Sequence, residues 1–251
     1  MQIILLGTGT PVLDTNRRQS ALVIDLGGKK LLFDAGCGVT SQMAEAGIQP
    51  QNIDAVFITH HHFDHISGLG EFLLTAWHNG RETPLNIYGP SGTAGMVEVL
   101  LKQVYSRDIM FTLFNDATVA DIRDIVRVTD IAPGWIHENN DWKVYAEYVE
   151  HGNGLGLSQE QWPCMGYRLE AREKTIAVSG DTIACAGLDK LAHDADVLIQ
   201  CCYLAEDEIT TPAAERQARF IIASSGQVGK IAARNKVKKL VLTHIRSKSE
   251  T

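Results

Sequence analysis

One stretch, Thr59-His60-His61-His62-Phe63-Asp64-His65, constrains what this chain can fold into more than any other. Three of its imidazoles and one carboxylate spell H-x-H-x-D-H, directly after the apolar run Ala55-Val56-Phe57-Ile58. Such a run reads as a buried strand, so the cluster falls where a strand ends and the chain turns. Alternate residues of an extended segment point the same way, which lets His60 and His62 grip one ion together. Asp64 and His65 lie past the turn and can face a second ion. Imidazole and carboxylate with no thiolate nearby suit zinc or a similar divalent metal, and manganese or iron are admitted by the same ligands. The plain alternative is a histidine-rich surface loop, but a solvated loop does not follow four apolar residues. In this register His61 points away and reads as a spectator.

Further ligands are expected at other strand ends, and three occur. His151 follows Tyr145-Ala146-Glu147-Tyr148-Val149-Glu150, Asp181 closes Ile176-Ala177-Val178-Ser179-Gly180, and His244 closes Leu240-Val241-Leu242-Thr243. Each is an apolar strand ending in one candidate ligand, as with Ile58-Thr59-His60. His78, His137 and His193 lie in helical or loop contexts and read as ordinary polar residues. Asp34 also sits at a strand end, where a supporting role beside the site and an ordinary turn aspartate fit equally well.

The elements around these points follow from local signals. Ile3–Leu6 reads as a strand running into Gly7-Thr8-Gly9-Thr10-Pro11; Pro11 blocks an immediate helix, so a nucleotide cradle is a weak reading. Gly27-Gly28 between Ala21–Leu26 and Lys30–Phe33 marks a hairpin. Helices are expected over Val39–Ala46, Gly68–Trp77 and Ala94–Tyr105, with a strand over Leu85–Tyr88. Strands are then expected over Val119–Val128, Trp142–Glu150, Gly166–Glu170 and Thr175–Ser179, with the alternation of half-buried antiparallel pairs. After Asp181 the pattern predicts helices over Leu188–His193, Pro212–Ala223 and Gln227–Arg234, with strands Val197–Cys201 and Leu240–Thr243. Thr211 reads as an N-cap with Pro212 at the first helical position. Two halves of sheet plus outer helices fit a helix/sheet/sheet/helix α/β sandwich better than one doubly wound sheet. No linker or low-complexity tract interrupts residues 1–251, which therefore read as a single domain.

A formal net charge of −7 over 251 residues leaves no broad basic footprint, which disfavours nucleic acid as the main partner. The five cysteines are scattered and Cys201 and Cys202 are adjacent, unlike a secreted disulfide framework. The N-terminal apolar run is too short for a signal-peptide core, and no later run reaches membrane-spanning length. These readings predict a soluble cytoplasmic protein with no membrane partner, and they are compatible with a homodimer.

Taken together, Leu5-Leu6-Gly7-Thr8-Gly9-Thr10-Pro11, Leu32-Phe33-Asp34-Ala35-Gly36, the H-x-H-x-D-H, Tyr88-Gly89-Pro90, Ser179-Gly180-Asp181-Thr182 and Leu242-Thr243-His244 carry a resemblance. The chain resembles the metallo-β-lactamase fold superfamily, in its ribonuclease Z and arylsulfatase-like branch. The resemblance implies an αββα sandwich of two mixed sheets with helices outside, and a site for two divalent metal ions. Carried over by position, His60, His62 and His151 hold one metal, and Asp64, His65 and His244 the other. Asp181 bridges them, and Asp64 also orients an attacking hydroxide. The implied reaction is hydrolysis without a covalent enzyme intermediate.

Departures from the pattern bear on substrate. Transfer-RNA-processing members carry a long arm between the ligands matching His151 and Asp181, where this chain has only a short stretch. They carry a His-Glu-Ala-Thr-like segment where this chain reads Gln200-Cys201-Cys202-Tyr203, and a histidine where it has Ala223 before Ser224-Ser225. The absent glutamate and histidine protonate the leaving ribose oxygen, so small phosphodiesters, sulfate esters and other activated esters are the expected substrates. The alternatives are a transfer-RNA 3′-processing endoribonuclease, a lactone or β-lactam hydrolase, and a catalytically silent metal-binding protein. Cys201 and Cys202, at the end of an apolar strand, read as buried packing residues.

Overall fold

Gly27 and Gly28 both take positive φ, 75° and 139°, and the chain reverses there as the sequence predicts. The strands they join, β2 (Ala21–Asp25) and β3 (Lys30–Phe33), pair antiparallel, and β1 (Gln2–Gly7) pairs antiparallel with β2. The computed structural model describes residues 1–246. The chain divides into two compact units, one built from Met1–Gly7 and Arg18–Asp130, the other from Thr8–Arg17 and the chain from Ile131 onward.

In the first unit β4 (Ala55–Phe57), β5 (Leu85–Gly89) and β6 (Val126–Asp130) extend the sheet in parallel, giving the order β1-β2-β3-β4-β5-β6. Helices α1 (Val39–Glu45), α2 (Phe63–Ile66), α3 (Leu69–His78), α4 (Thr93–Val99), α5 (Ser106–Asn115) and α6 (Ile122–Ile125) belong to the same unit. Met43 of α1 and Leu69, Phe72 and Leu73 of α3 share a core with Val23, Leu32, Val56 and Ile87 of the sheet. Phe72 is fully buried, so truncating it to alanine would cost about 3–5 kcal/mol. Phe33, Phe57 and Tyr88 stack across three neighbouring strands, with ring centroids 4.9 Å and 5.3 Å apart.

The second unit holds β7 (Ile136–Glu138), β8 (Lys143–Tyr148), β9 (Met165–Ala171), β10 (Lys174–Val178), β11 (Val197–Cys201) and β12 (Lys239–Thr243). Strands β7 to β10 are antiparallel, while β11 and β12 add in parallel, in the order β12-β11-β10-β9-β8-β7. Helices α7 (Ala186–Ala192), α8 (Pro212–Phe220) and α9 (Ser225–Arg234) complete it. Leu188 and Leu191 of α7 and Val228 and Ile231 of α9 pack with Ala177 and Leu198 of the sheet. Thr211 caps α8 as predicted, its hydroxyl accepting from Ala214 N at 3.2 Å with Pro212 at the start.

Three expectations need correction. The strand expected over Val119–Val128 begins only at Val126, because Asp121 Oδ1 accepts from Arg123 N at 2.9 Å and caps α6 first. The helix expected over Ala94–Tyr105 gives way at Leu100–Val104 to a π-turn, and α5 follows it. The helix expected over Pro212–Ala223 stops at Phe220. No helix among the described residues is long and apolar enough to cross a membrane.

Candidate metal centre

In the first unit, β3 and β4 run parallel and end side by side, with Asp34 N donating to Phe57 O at 2.9 Å. Asp34 then takes φ 57°, a left-handed conformation that an aspartate tolerates better than most residues. Its carboxylate receives three donors: Thr59 N at 2.8 Å, Thr59 Oγ1 at 2.9 Å and His65 Nδ1 at 2.7 Å. The proton on His65 Nδ1 leaves Nε2 as the lone-pair nitrogen, and it lies 3.8 Å from Asp64 Oδ2. Thr59 Oγ1 also contacts His60 Nδ1 at 3.0 Å, which sets the His60 ring in the same way. His60 Nε2 and His62 Nδ1 converge to 3.0 Å, the pairing expected from their alternate spacing. His61 turns instead to Thr93 Oγ1 at 2.8 Å, and burial depresses its pKa.

Close backbone approach makes this packing possible. Ala35 N donates to His65 O and Gly68 N to Ala35 O, both at 2.8 Å. A Cβ on Gly36 would lie 2.3 Å from Asp64 O, so only glycine lets the two segments meet.

In the second unit, three strand ends converge. His151 Nδ1 donates to Ile221 O at 2.7 Å, fixing its tautomer, and its Nε2 lies 3.8 Å from Asp181 Oδ2. His244 Nε2 lies 3.3 Å from the same oxygen. One carboxylate oxygen thus stands between two imidazole Nε2 atoms, and all three side chains are buried. Gly180 and His244 both adopt positive φ, 61° and 56°, turning the chain sharply at the ends of β10 and β12. Thr182 Oγ1 joins the strand ends by accepting from Glu150 N at 3.2 Å and donating to Glu150 O at 3.1 Å.

Imidazole nitrogens with fixed tautomers and buried carboxylates form a donor set that fits a divalent cation, since burying such carboxylates is costly without one. Two of the buried cysteines, Cys164 and Cys202, stay neutral thiols. Burial, and then the Asp181 charge, push the Cys164 thiol far up, and burial raises Cys202. The other histidines are engaged elsewhere: His78 with Asp108 at 3.0 Å, His193 with Asp194 at 3.2 Å, and His137 among the rings of Trp135 and Trp142. The supporting roles of Thr59 and of the Ile221 carbonyl went unread in the sequence. Thr59 sits inside the cluster stretch and could have been found there; a carbonyl carries no residue-type signal.

A family model described as Anti-Pycsar protein Apyc1 matches residues 1–215. Ribonuclease Z of Mycolicibacterium gilvum (strain PYR-GCK) is 32% identical over 252 residues, covering 97% of this chain and 84% of the relative. Solved structures share the fold. Human tRNase Z, short form, superposes with a TM-score of 0.74 at 22% identity, covering 98% of this chain and 93% of the other. The metallo-β-lactamase fold protein YhfI from Bacillus subtilis superposes with a TM-score of 0.73 at 18% identity, covering 98% and 86%. The fold class expected from the sequence, α/β with two mixed sheets and helices, is the one observed. With a family match over most of its length and a ribonuclease Z relative at this identity, the chain belongs to the Anti-Pycsar protein Apyc1 family, among the metal-dependent hydrolases of the metallo-β-lactamase superfamily.

Proposed function

We propose that this protein hydrolyses phosphodiesters at a centre of two divalent cations, zinc being the simplest choice. In this reading His60, His62 and His151, with Asp181, would hold one ion, and Asp64, His65 and His244 would hold the other, with Asp181 near enough to His244 to be shared. The observation that carries it is Asp181 Oδ2 standing between His151 Nε2 and His244 Nε2, as a shared ligand requires. The reading takes the two units as one working domain, in a reducing cytoplasm consistent with five free cysteines.

When bound, such a pair of cations lowers the pKa of a shared water and stabilises charge on a phosphoryl oxygen. The chain's own residues do the rest. Asp34, Thr59 and Ile221 O fix the imidazoles so that the donor atoms need little reorganisation. Asp64, almost fully buried, orients the nucleophile as acceptor of its proton.

Two substrate classes fall under this reaction. Precursor transfer RNA is the one the relatives favour, because a relative 32% identical over 97% of this chain is named ribonuclease Z. A small diester is favoured by Cys201 and Ala223 standing where processing members carry the protonating glutamate and histidine. It is also favoured by the stretch between His151 and Asp181, which holds only a short turn and the β9–β10 hairpin. A nitrophenolate leaves without a proton, whereas a ribose oxygen gains roughly a hundredfold or more from an acid. The deciding measurement compares cleavage of a precursor transfer RNA and of bis(4-nitrophenyl) phosphate by one metal-reconstituted preparation. Correctly placed RNA cleavage establishes the processing reading; diester turnover without it establishes the small-substrate reading. Turnover of neither sinks the proposal.

A further inference from the structure

Just beyond His244 lies a cation that no ligand role accounts for. Ile245 N donates to Thr8 O at 2.8 Å, which pins the backbone between the ligand and Arg246. Arg246 Nη2 donates to Glu208 Oε1 at 2.6 Å, and its guanidinium lies 5.6 Å over the ring of Tyr203. The Tyr203 ring is in turn 6.3 Å from the His244 ring, tilted by 46°. Tyr203 therefore neighbours both the candidate ligand and the cation. Glu208 is itself held, its Oε2 accepting from Ala205 N at 2.8 Å.

A plain surface ion pair would leave the remaining guanidinium donors to solvent. Here Nε is buried and has no hydrogen-bond partner among the described residues, so an approaching anion meets the terminal nitrogens of a side chain that is 37% exposed as a whole. A guanidinium is always charged and presents its N–H groups in one plane, a geometry that matches two oxygens of a phosphate. Glu208 takes one edge of that plane, and Tyr203 sets its tilt.

We propose that Arg246, aimed by Glu208 and Tyr203, binds a phosphoryl oxygen of the substrate beside His244 and selects phosphate diesters over uncharged esters. The inference rests on the phosphodiester reading above. Arg246 acts in binding and needs no proton transfer, so its contribution falls mainly on KM.

The test uses the metal-reconstituted full chain and its Arg246→Ala and Arg246→Lys variants. Inorganic phosphate is titrated calorimetrically into each. In parallel, kcat and KM are measured for bis(4-nitrophenyl) phosphate and for uncharged 4-nitrophenyl acetate, with metal content checked. Arg246→Ala is expected to weaken phosphate binding and raise the diester KM, each about tenfold. Its kcat should stay within about twofold, with acetate kinetics and metal content unchanged. Arg246→Lys, which keeps the charge and loses the planar fork, should fall between. Equal phosphate affinity and equal diester KM in parent and Arg246→Ala overturn the inference, as does a parent that binds no phosphate or an equal change for both esters. Phosphate binding that depends on Arg246 in a protein that turns over no diester would refute the proposed function and leave this assignment standing. Diester turnover indifferent to Arg246 would do the reverse.

Discussion

His65 Nδ1 donates to Asp34 Oδ2 across 2.7 Å, joining the end of β3 to the helix that follows β4. Asp34 also receives both the amide and the hydroxyl of Thr59, so a single carboxylate sets the backbone and an imidazole of the H-x-H-x-D-H segment. Its left-handed backbone is maintained by this convergence of partners.

Replacing Asp34 by alanine should weaken metal binding about ten- to a hundredfold without abolishing it, because His65 stays in place but loses its fixed tautomer. Asparagine, which keeps a carbonyl acceptor, should do less harm. Competition against a graded series of chelators measures the effect; equal chelator resistance in parent and Asp34→Ala would remove Asp34 from the site's support.

His151 and His244 stand apart from the compact cluster, and each faces Asp181. Elemental analysis of the reconstituted parent should give about two equivalents of metal. Alanine at either position should lower that toward one and abolish hydrolysis, with the far-ultraviolet circular dichroism of the parent retained. His137→Ala and His193→Ala serve as controls and should retain full metal content. Loss of metal in a control, with retention in His151→Ala or His244→Ala, would refute the ligand assignment.

Arg81 plays a purely structural part. It is 7% exposed and donates to four carbonyls, Gln51 O at 2.9 Å, Ile53 O at 2.6 Å, Thr83 O at 3.0 Å and Pro84 O at 2.8 Å. Burial pulls its pKa down, yet a guanidinium keeps its charge through the accessible range. Arg81→Ala leaves these acceptors without their donor and should cost about 3 kcal/mol in urea unfolding, with metal content unchanged in the folded fraction. A loss below about 0.5 kcal/mol would contradict this role.

Acid should release a second clamp. Lys238 Nζ at 2.9 Å and Thr175 N at 2.9 Å, with Lys174 nearby, hold the Asp196 carboxyl at about 2, below its usual 3.8. Because the folded value is depressed, its stabilising contribution is complete above the unfolded value and is lost as pH falls from about 4 toward 2. Asp196→Asn should therefore be less stable than the parent at pH 6, and the gap should close by about pH 2. A gap that stays constant across that range in denaturant titrations would exclude the ionised clamp.

The strand ends that carry the proposed ligands were legible because their signal is local. An apolar strand ending in histidine or aspartate is visible at Ile58-Thr59-His60, at Gly180-Asp181 and at Thr243-His244, and β11 runs over the predicted Val197–Cys201. Periodicity and caps depend on neighbouring residues, so Gly27-Gly28 and Thr211-Pro212 could be read without knowing the fold. What escaped involved competing local signals or distant partners. Asp121 capped α6 inside an apparent strand, and Leu100–Val104 widened to a π-turn inside an apparent helix. Only the tertiary structure made Asp34 a support for His65 and gave His151 the carbonyl of Ile221, far along the chain. It also brought Arg246, Tyr203 and Glu208 together around a buried Nε. A residue's type advertises the chemistry it can do. Which donor meets which acceptor depends on how the strand ends and loops pack, and no short window of sequence contains that information.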